Sequence, residues 1–262
     1  MPEGDIVYRT AAALRAALAG QTVVRSDFRV PRYATLDLRG DRIDSVGSYG
    51  KHLFVRTDRL SIHTHLKMEG SWQIYRPGQR WTKPGFTARL IITTDTAEAV
   101  GFSLGLVEVL PAEREHTAVE QLGPDLLGAN WDPDEAVRRL RAHPQQSIGS
   151  ALLDQRNLAG IGNIYRSEIC FAHRVHPAVP VEEVADLPGL VRTSQRILTR
   201  AAHDPPWSAA VYGRRRRPCR RCGSLIAAQQ LGTPTQPPGT SADPTDRAER
   251  TAYFCPRCQP LP

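Results

Sequence analysis

Leu152-Leu153-Asp154-Gln155-Arg156-Asn157-Leu158-Ala159-Gly160-Ile161-Gly162-Asn163-Ile164-Tyr165-Arg166-Ser167-Glu168 holds two helix signals around a glycine-punctuated turn. The apolar spacing predicts one helix over 148–157 and a second over 164–172. Two glycines at a helix start let another backbone pack closely and aim free N–H groups at an anion. Asn163 adds a side-chain donor at that point. A plain interhelical turn has the same outline, so the pattern alone leaves anion binding and simple packing both open. Further helices are expected over 134–142 and 181–202, with breaks at Pro144, Gly160, Pro177 and Pro188.

Towards the N-terminus the periodicity changes. Residues 4–19 read as a helix, with Val7, Ala11, Leu14 and Leu18 on one face and Gly20 as its stop. Short strands are then expected over 22–30, 42–46, 52–57, 60–66, 71–75, 88–93 and 99–110, separated by Gly, Asp and Pro. Many short strands at close spacing predict a β-sandwich or barrel. The turn-rich stretch 124–133 is a natural domain connection.

Towards the C-terminus, Cys219-x-x-Cys222 and Cys255-Pro-Arg-Cys258 supply four thiolates in two tight turns, the ligand set of a structural zinc site. The 32 residues between them (223–254) exceed the common spacing of a zinc ribbon. The stretch 232–247, rich in Pro, Thr, Gly and Asp and without apolar pattern, accounts for the excess as a flexible excursion from a hairpin. Arg250 enters the second turn on an expected strand. A rigidly presented phosphate clamp and a solvated surface arginine both fit it, and the residues alone favour the second.

The chain of 262 residues carries a net charge of +7, supplied almost wholly by arginine; its three lysines are Lys51, Lys67 and Lys83. This balance favours a polyanionic partner, and guanidinium binds phosphate oxygens in a fork. No stretch approaches twenty apolar residues, and residues 1–20 lack the order of a signal peptide, so a soluble, cytosolic protein is expected. In a reducing compartment the paired cysteines argue for metal over disulfides.

The remaining candidates are short. Met1-Pro2-Glu3-Gly4 would expose a secondary amine at Pro2 once Met1 is removed. An α-amino group titrates near ~8, against ~10.4 for lysine, so far more of it is a free nucleophile at neutral pH. Glu3 beside it is a carboxyl able to shuttle protons. Lys51 lies at a hairpin-like turn before an apolar strand, idle at the surface or facing a phosphate. His63 and His65 share a strand face; with no third ligand at suitable spacing they read as packing or hydrogen-bonding residues. Met68, at a strand-end turn, is either core or an apolar wedge for a base stack.

Together and in order, these segments resemble the formamidopyrimidine-DNA glycosylase/endonuclease VIII family of base-excision enzymes. The resemblance runs through Pro2-Glu3-Gly4, Gly50-Lys51-His52-Leu53, 65–72, Leu122-Gly123-Pro124-Asp125, 152–168 and the cysteine turns with Arg250. The Pro-Glu-Gly opening is similar to the endonuclease VIII branch. The resemblance implies an α+β fold: an N-terminal helix plus two-layer β-sandwich over 1–128, a helix–two-turns–helix domain over 129–213, and a zinc finger over 214–262. It implies Pro2 as nucleophile, Glu3 as acid/base, and Lys51 as a phosphate-contacting lysine that assists catalysis. Asn163 and Arg250 would grip phosphates and Met68 would fill the gap left by an everted nucleotide. One structural zinc, damaged DNA as partner and a monomeric protein are implied as well. Asp5 departs from the pattern, standing where the family commonly continues Pro-Glu, and the long finger insertion departs too.

The implied chemistry is removal of an oxidised base, pyrimidines favoured, followed by β,δ-elimination through a Schiff base on Pro2. Two other readings compete with it. One is a non-catalytic nucleic-acid-binding zinc-finger protein; the other is an abasic-site lyase with weak base excision.

Overall fold

The computed structural model describes residues 2–205, 208–231 and 250–261. The state of Met1 and the excursion at 232–247 lie outside the described residues. The chain forms two compact units, 1–121 and 122–262.

The first unit opens with α1 (Gly4–Leu18), which buries Val7, Ala11, Leu14 and Leu18. Eight strands follow: β1 (Arg25–Phe28), β2 (Ile43–Tyr49), β3 (His52–Thr57), β4 (Leu60–His65), β5 (Ser71–Tyr75), β6 (Ala88–Thr93), β7 (Glu98–Phe102) and β8 (Leu106–Pro111). They form two four-stranded antiparallel sheets, ordered β1-β6-β7-β5 and β2-β3-β4-β8. The face of α1 joins Leu53, Val55 and Ile62 of one sheet and Leu90, Ile92 and Ala99 of the other in a single core.

Two expected strands change. The first shrinks to β1, because Thr22 makes only an isolated bridge to Arg42 and Val30 leads into a 3-10 turn at Pro31. The long strand expected over 99–110 is two, β7 and β8, and they belong to different sheets. Ser103 between them adopts φ +47, and Leu104 folds back against Gly101, where a Cβ would not fit. No Pro, Asn or Asp marks that switch.

The second unit is helical: α2 (Pro133–Arg141), α3 (Ile148–Leu153), α4 (Asn163–Ala172) and α5 (Leu187–His203), with a closing hairpin of β9 (Ala227–Leu231) and β10 (Arg250–Phe254). Helix α3 ends four residues earlier than its apolar pattern suggests. The Asp154 carboxylate accepts the Arg156 N–H at 3.0 Å, and its carbonyl accepts the Asn157 N–H at 3.0 Å, so a turn replaces the last helical turn. The helix expected from 181 starts at Leu187. Asp186 caps it by accepting the Gly189 N–H at 2.8 Å, and Pro188 opens the helix instead of breaking it.

Candidate active site and nucleic-acid interface

In the first unit Pro2 is half-buried and Glu3 is the residue that caps α1, its carbonyl accepting the Val7 N–H at 3.1 Å. Glu3 is 1% exposed, so its carboxyl lies within the protein. Asp5 pairs with Arg9 one helical turn on, at 3.5 Å.

Lys51 sits at the tip of the β2–β3 hairpin. Tyr49 and His52 are the last cross-strand pair, and Gly50 takes the φ of +55 that the two-residue turn requires. After β4 the chain turns through 66–70, closed by the Gly70 N–H donating to the Leu66 carbonyl at 2.9 Å. Met68 stands at this turn 54% exposed, an apolar side chain outside the core.

Between these turns lies a histidine network that the strand-face argument sees only in part. His52 Nδ1 and His63 Nε2 are 2.8 Å apart, and His63 Nδ1 is 3.1 Å from Glu108 Oε2. The His63 ring stacks between His52 and Phe54, and His65 meets His52 edge-on. With Glu108 ionised, the His63 Nδ1–H donates to it, which leaves His63 Nε2 to accept from His52. Burial, with the neighbouring cations, pushes His52 down to about 3 and His65 down to about 2, so both are neutral at pH 7. His63 and His65 serve in hydrogen bonding and packing, as their shared strand face suggested. His52 and Glu108 escaped notice because their partners come from three strands, and β4 alone carries the periodic signal.

In the second unit the turn at 154–162 is braced by Gln155. Its Nε2 donates to the carbonyls of Leu153 and Ile161 at 2.8 and 2.9 Å, and its Oε1 accepts the Gly160 N–H at 3.1 Å. Gly160 has φ +113, and Gly162 precedes α4. Asn163 is thus the first residue of α4, half-buried, with its Oδ1 accepting from the Arg166 guanidinium. That bond occupies the acceptor end of the amide and turns its donor end away from Arg166.

Arg250 begins β10, opposite Leu231, and β10 is tied to α4 by the Tyr253 N–H donating to Ser167 Oγ at 3.3 Å. The ligating atoms of Cys219, Cys222, Cys255 and Cys258 lie within 4.8 Å of one another, and among the described residues this is the one group of three or more potential metal ligands so placed. The first cysteine turn is closed by the Gly223 N–H to the Cys219 carbonyl, the second by the Gln259 N–H to the Cys255 carbonyl, both at 2.9 Å. Buried Gln259 also donates to the Val175 carbonyl at 2.7 Å, and Arg221 donates to the Phe171 carbonyl while lying over that ring. The fifth cysteine, Cys170, is buried in the helical core, and burial pushes its thiol up to about 12.

Glu168 is the residue of this unit that sequence reading left within a motif and gave no role. It is buried on α4 and its two carboxylate oxygens accept the N–H groups of Ala210, Val211 and Tyr212 at 2.8–2.9 Å. An acidic residue amid the buried run Tyr165–Phe171 was the available signal. Glu168→Ala leaves three N–H groups without that acceptor and should cost about 2–4 kcal/mol, measured as a lower urea midpoint.

Residues 1–103 match the family model of the formamidopyrimidine-DNA glycosylase N-terminal domain, and residues 122–204 that of the formamidopyrimidine-DNA glycosylase H2TH domain. A probable endonuclease 8 2 of Streptomyces coelicolor is 44% identical over 100% of this chain and 95% of that protein. A DNA-(apurinic or apyrimidinic site) lyase of Mycolicibacterium smegmatis is 43% identical over 99% of both. The fold matches a Lactococcus lactis formamidopyrimidine DNA glycosylase, solved with DNA containing an AP site, with a TM-score of 0.81 at 21% identity over 99% of this chain and 100% of that one. The chain therefore belongs to the formamidopyrimidine-DNA glycosylase/endonuclease VIII family of DNA-repair glycosylases and abasic-site lyases.

Proposed function

We propose that this protein excises oxidised bases from DNA, pyrimidines favoured, and cleaves the strand by β,δ-elimination through a Schiff base on Pro2. The observation that carries this reading is the buried Glu3 carboxyl at the head of α1, directly following the half-buried Pro2 ring. A base-excision enzyme needs a nucleophile and a shielded acid at one place, and a mere phosphate clamp needs neither.

The Pro2 nitrogen attacks C1′ of an everted nucleotide while the C1′–base bond breaks. Glu3 gives a proton to the ring oxygen, the sugar opens, and a cationic iminium remains. That cation withdraws electrons from C2′, whose proton is lost as the C3′–O bond to the 3′ phosphate breaks. A second elimination releases the 5′ phosphate. Eversion costs a few kcal/mol and is cheapest for a poorly stacked base. Lys51, Asn163 and Arg250 are assigned to backbone phosphates.

Met68 is assigned to the vacated stack. Met68→Ala should leave the melting temperature unchanged, because the side chain is exposed, and should lower excision from duplex about 10-fold.

The four cysteines fit one Zn2+, since four convergent thiols are the donor set of a structural site. When bound, the ion cross-links the two cysteine turns and takes no part in the elimination. We assign the protein to the bacterial cytosol, acting as a monomer on damaged DNA. Among the described residues no helix is long and apolar enough to cross a membrane.

The test is a set of duplexes carrying an oxidised pyrimidine, an oxidised purine or a preformed abasic site. Nicking of the pyrimidine duplex to 3′- and 5′-phosphate ends is expected. Nicking of the abasic duplex alone would reduce the activity to that of a lyase, and binding without nicking would leave a nucleic-acid-binding protein.

A further inference from the structure

Lys67 and Ser103 are the non-glycine residues with a positive φ among the described residues of the first unit, and Lys67 is the charged one. Its φ of +53 lies in the left-handed region that L residues avoid and that Gly, Asn and Asp enter most readily. The surroundings hold it in place. Its N–H donates to His65 Nδ1 at 2.9 Å, and Gly105, whose N–H donates to the His65 carbonyl at 3.0 Å, lies against the Lys67 stem so closely that a Cβ at 105 would overlap it. A glycine at 67 would relieve the backbone at once, yet the chain places there one of its three lysines.

The strand register also places Lys67 relative to Lys51. His52 and His65 each feel the positive charges of both Lys51 and Lys67, although the two lysines come from separate turns. The groups facing these imidazoles are Lys51, Lys67 and His63; His63 is faced in turn by Glu108 and Glu115, and Glu115 is held by Arg56 at 2.6 Å. His52 and His65 are paired across β3 and β4, so Lys51, the residue before His52, and Lys67, two residues after His65, lie at the same end of that strand pair, while Glu108 meets His63 further along it. Two lysines at one end of a strand pair suit the anionic non-bridging oxygens of a backbone phosphodiester.

We propose that Lys67 is a second phosphate-gripping lysine, which closes with Lys51 on one backbone phosphate of the bound DNA and is aimed by the left-handed turn that His65 and Gly105 enforce. This deepens, and rests on, the proposed DNA-repair reading. The backbone strain is kept because it points the ammonium.

The experiment measures the salt dependence of binding to an abasic-analogue duplex for the wild type, Lys67→Gln, Lys67→Gly and Lys67→Arg, alongside nicking of an abasic duplex. The log–log slope should become shallower by about 0.9 in the Gln and Gly variants and stay near wild type in Arg. The Gly variant should also melt about 2–4 °C higher, because relief of φ stabilises it while binding weakens. A mere turn role would give the higher melting temperature with an unchanged slope, and that result overturns the proposal, as does an unchanged slope in Lys67→Gln. A shallower slope in a protein that never nicks abasic DNA upholds the clamp and sinks the enzymatic reading instead.

Discussion

Replacing Pro2 with glycine should cut the borohydride-trapped protein–DNA adduct on an abasic duplex about 1000-fold, equivalent to about 4 kcal/mol of transition-state stabilisation. The glycine variant still ends in an amine of similar basicity, so the prediction isolates one property. A secondary amine condenses to an iminium that carries its positive charge without further protonation. A primary amine gives an imine that must first capture a proton before it can draw electrons from C2′. Glu3→Gln separates the steps. With its shielded acid gone, base excision should fall about 100- to 10,000-fold while adduct formation on a preformed abasic site persists. Intact mass on the same samples reads whether Met1 has been removed, and an undiminished adduct in the glycine variant would exclude Pro2 as nucleophile.

These variants can be designed from the chain because the residues assigned to the chemistry lie in contiguous segments. Pro2-Glu3, the Gly50-Lys51 turn, the 152–168 turn and the two cysteine turns each carry their own geometry: a cap, a two-residue hairpin, a helix start and two knuckles. Each alone is compatible with a plain cap or turn, and it is their co-occurrence in order that makes the set recognisable. The residues that position them were harder to see, because their partners are remote in sequence. Glu168 meets the backbone of 210–212, more than forty positions on. His52 meets His63 across β3 and β4, and Glu108 completes the row from β8. No periodicity within one element encodes such a row.

The misread boundaries have a common cause. At Asp154 and Asp186 a carboxylate substitutes for a backbone carbonyl, and at Ser103 a left-handed residue turns the chain with no glycine at the point of the turn. Apolar spacing continues through all three places, since the flanking side chains remain buried. Hydrophobic pattern reports burial, and burial here outlasts the element that produced it.

Loss of metal should have the largest effect on stability. Around the cysteine turns the buried apolar cluster is small: Phe171, Val211, Ile226, and the ligands Cys219 and Cys255 themselves. Two of its members are thus assigned to the metal, and the rest cannot offset the entropy of ordering the hairpin. Zinc binding contributes about 10–16 kcal/mol in finger peptides, comparable with or larger than the about 5–15 kcal/mol stability of a whole domain. Chelation should therefore unfold 218–231 and 250–259, release one Zn2+ per chain to a metallochromic dye, and open these segments to protease, and Cys222→Ser should leave them open from the start. Four thiols should become reactive on chelation and three in Cys222→Ser, while Cys170, enclosed in the separate helical core, stays protected until that core melts. The salt slope for DNA should become shallower at the same time, because Arg250 then has no fixed strand to start from. Purified protein without metal, or a Cys222→Ser variant that melts and resists protease like the wild type, would show that the thiols do not hold an ion.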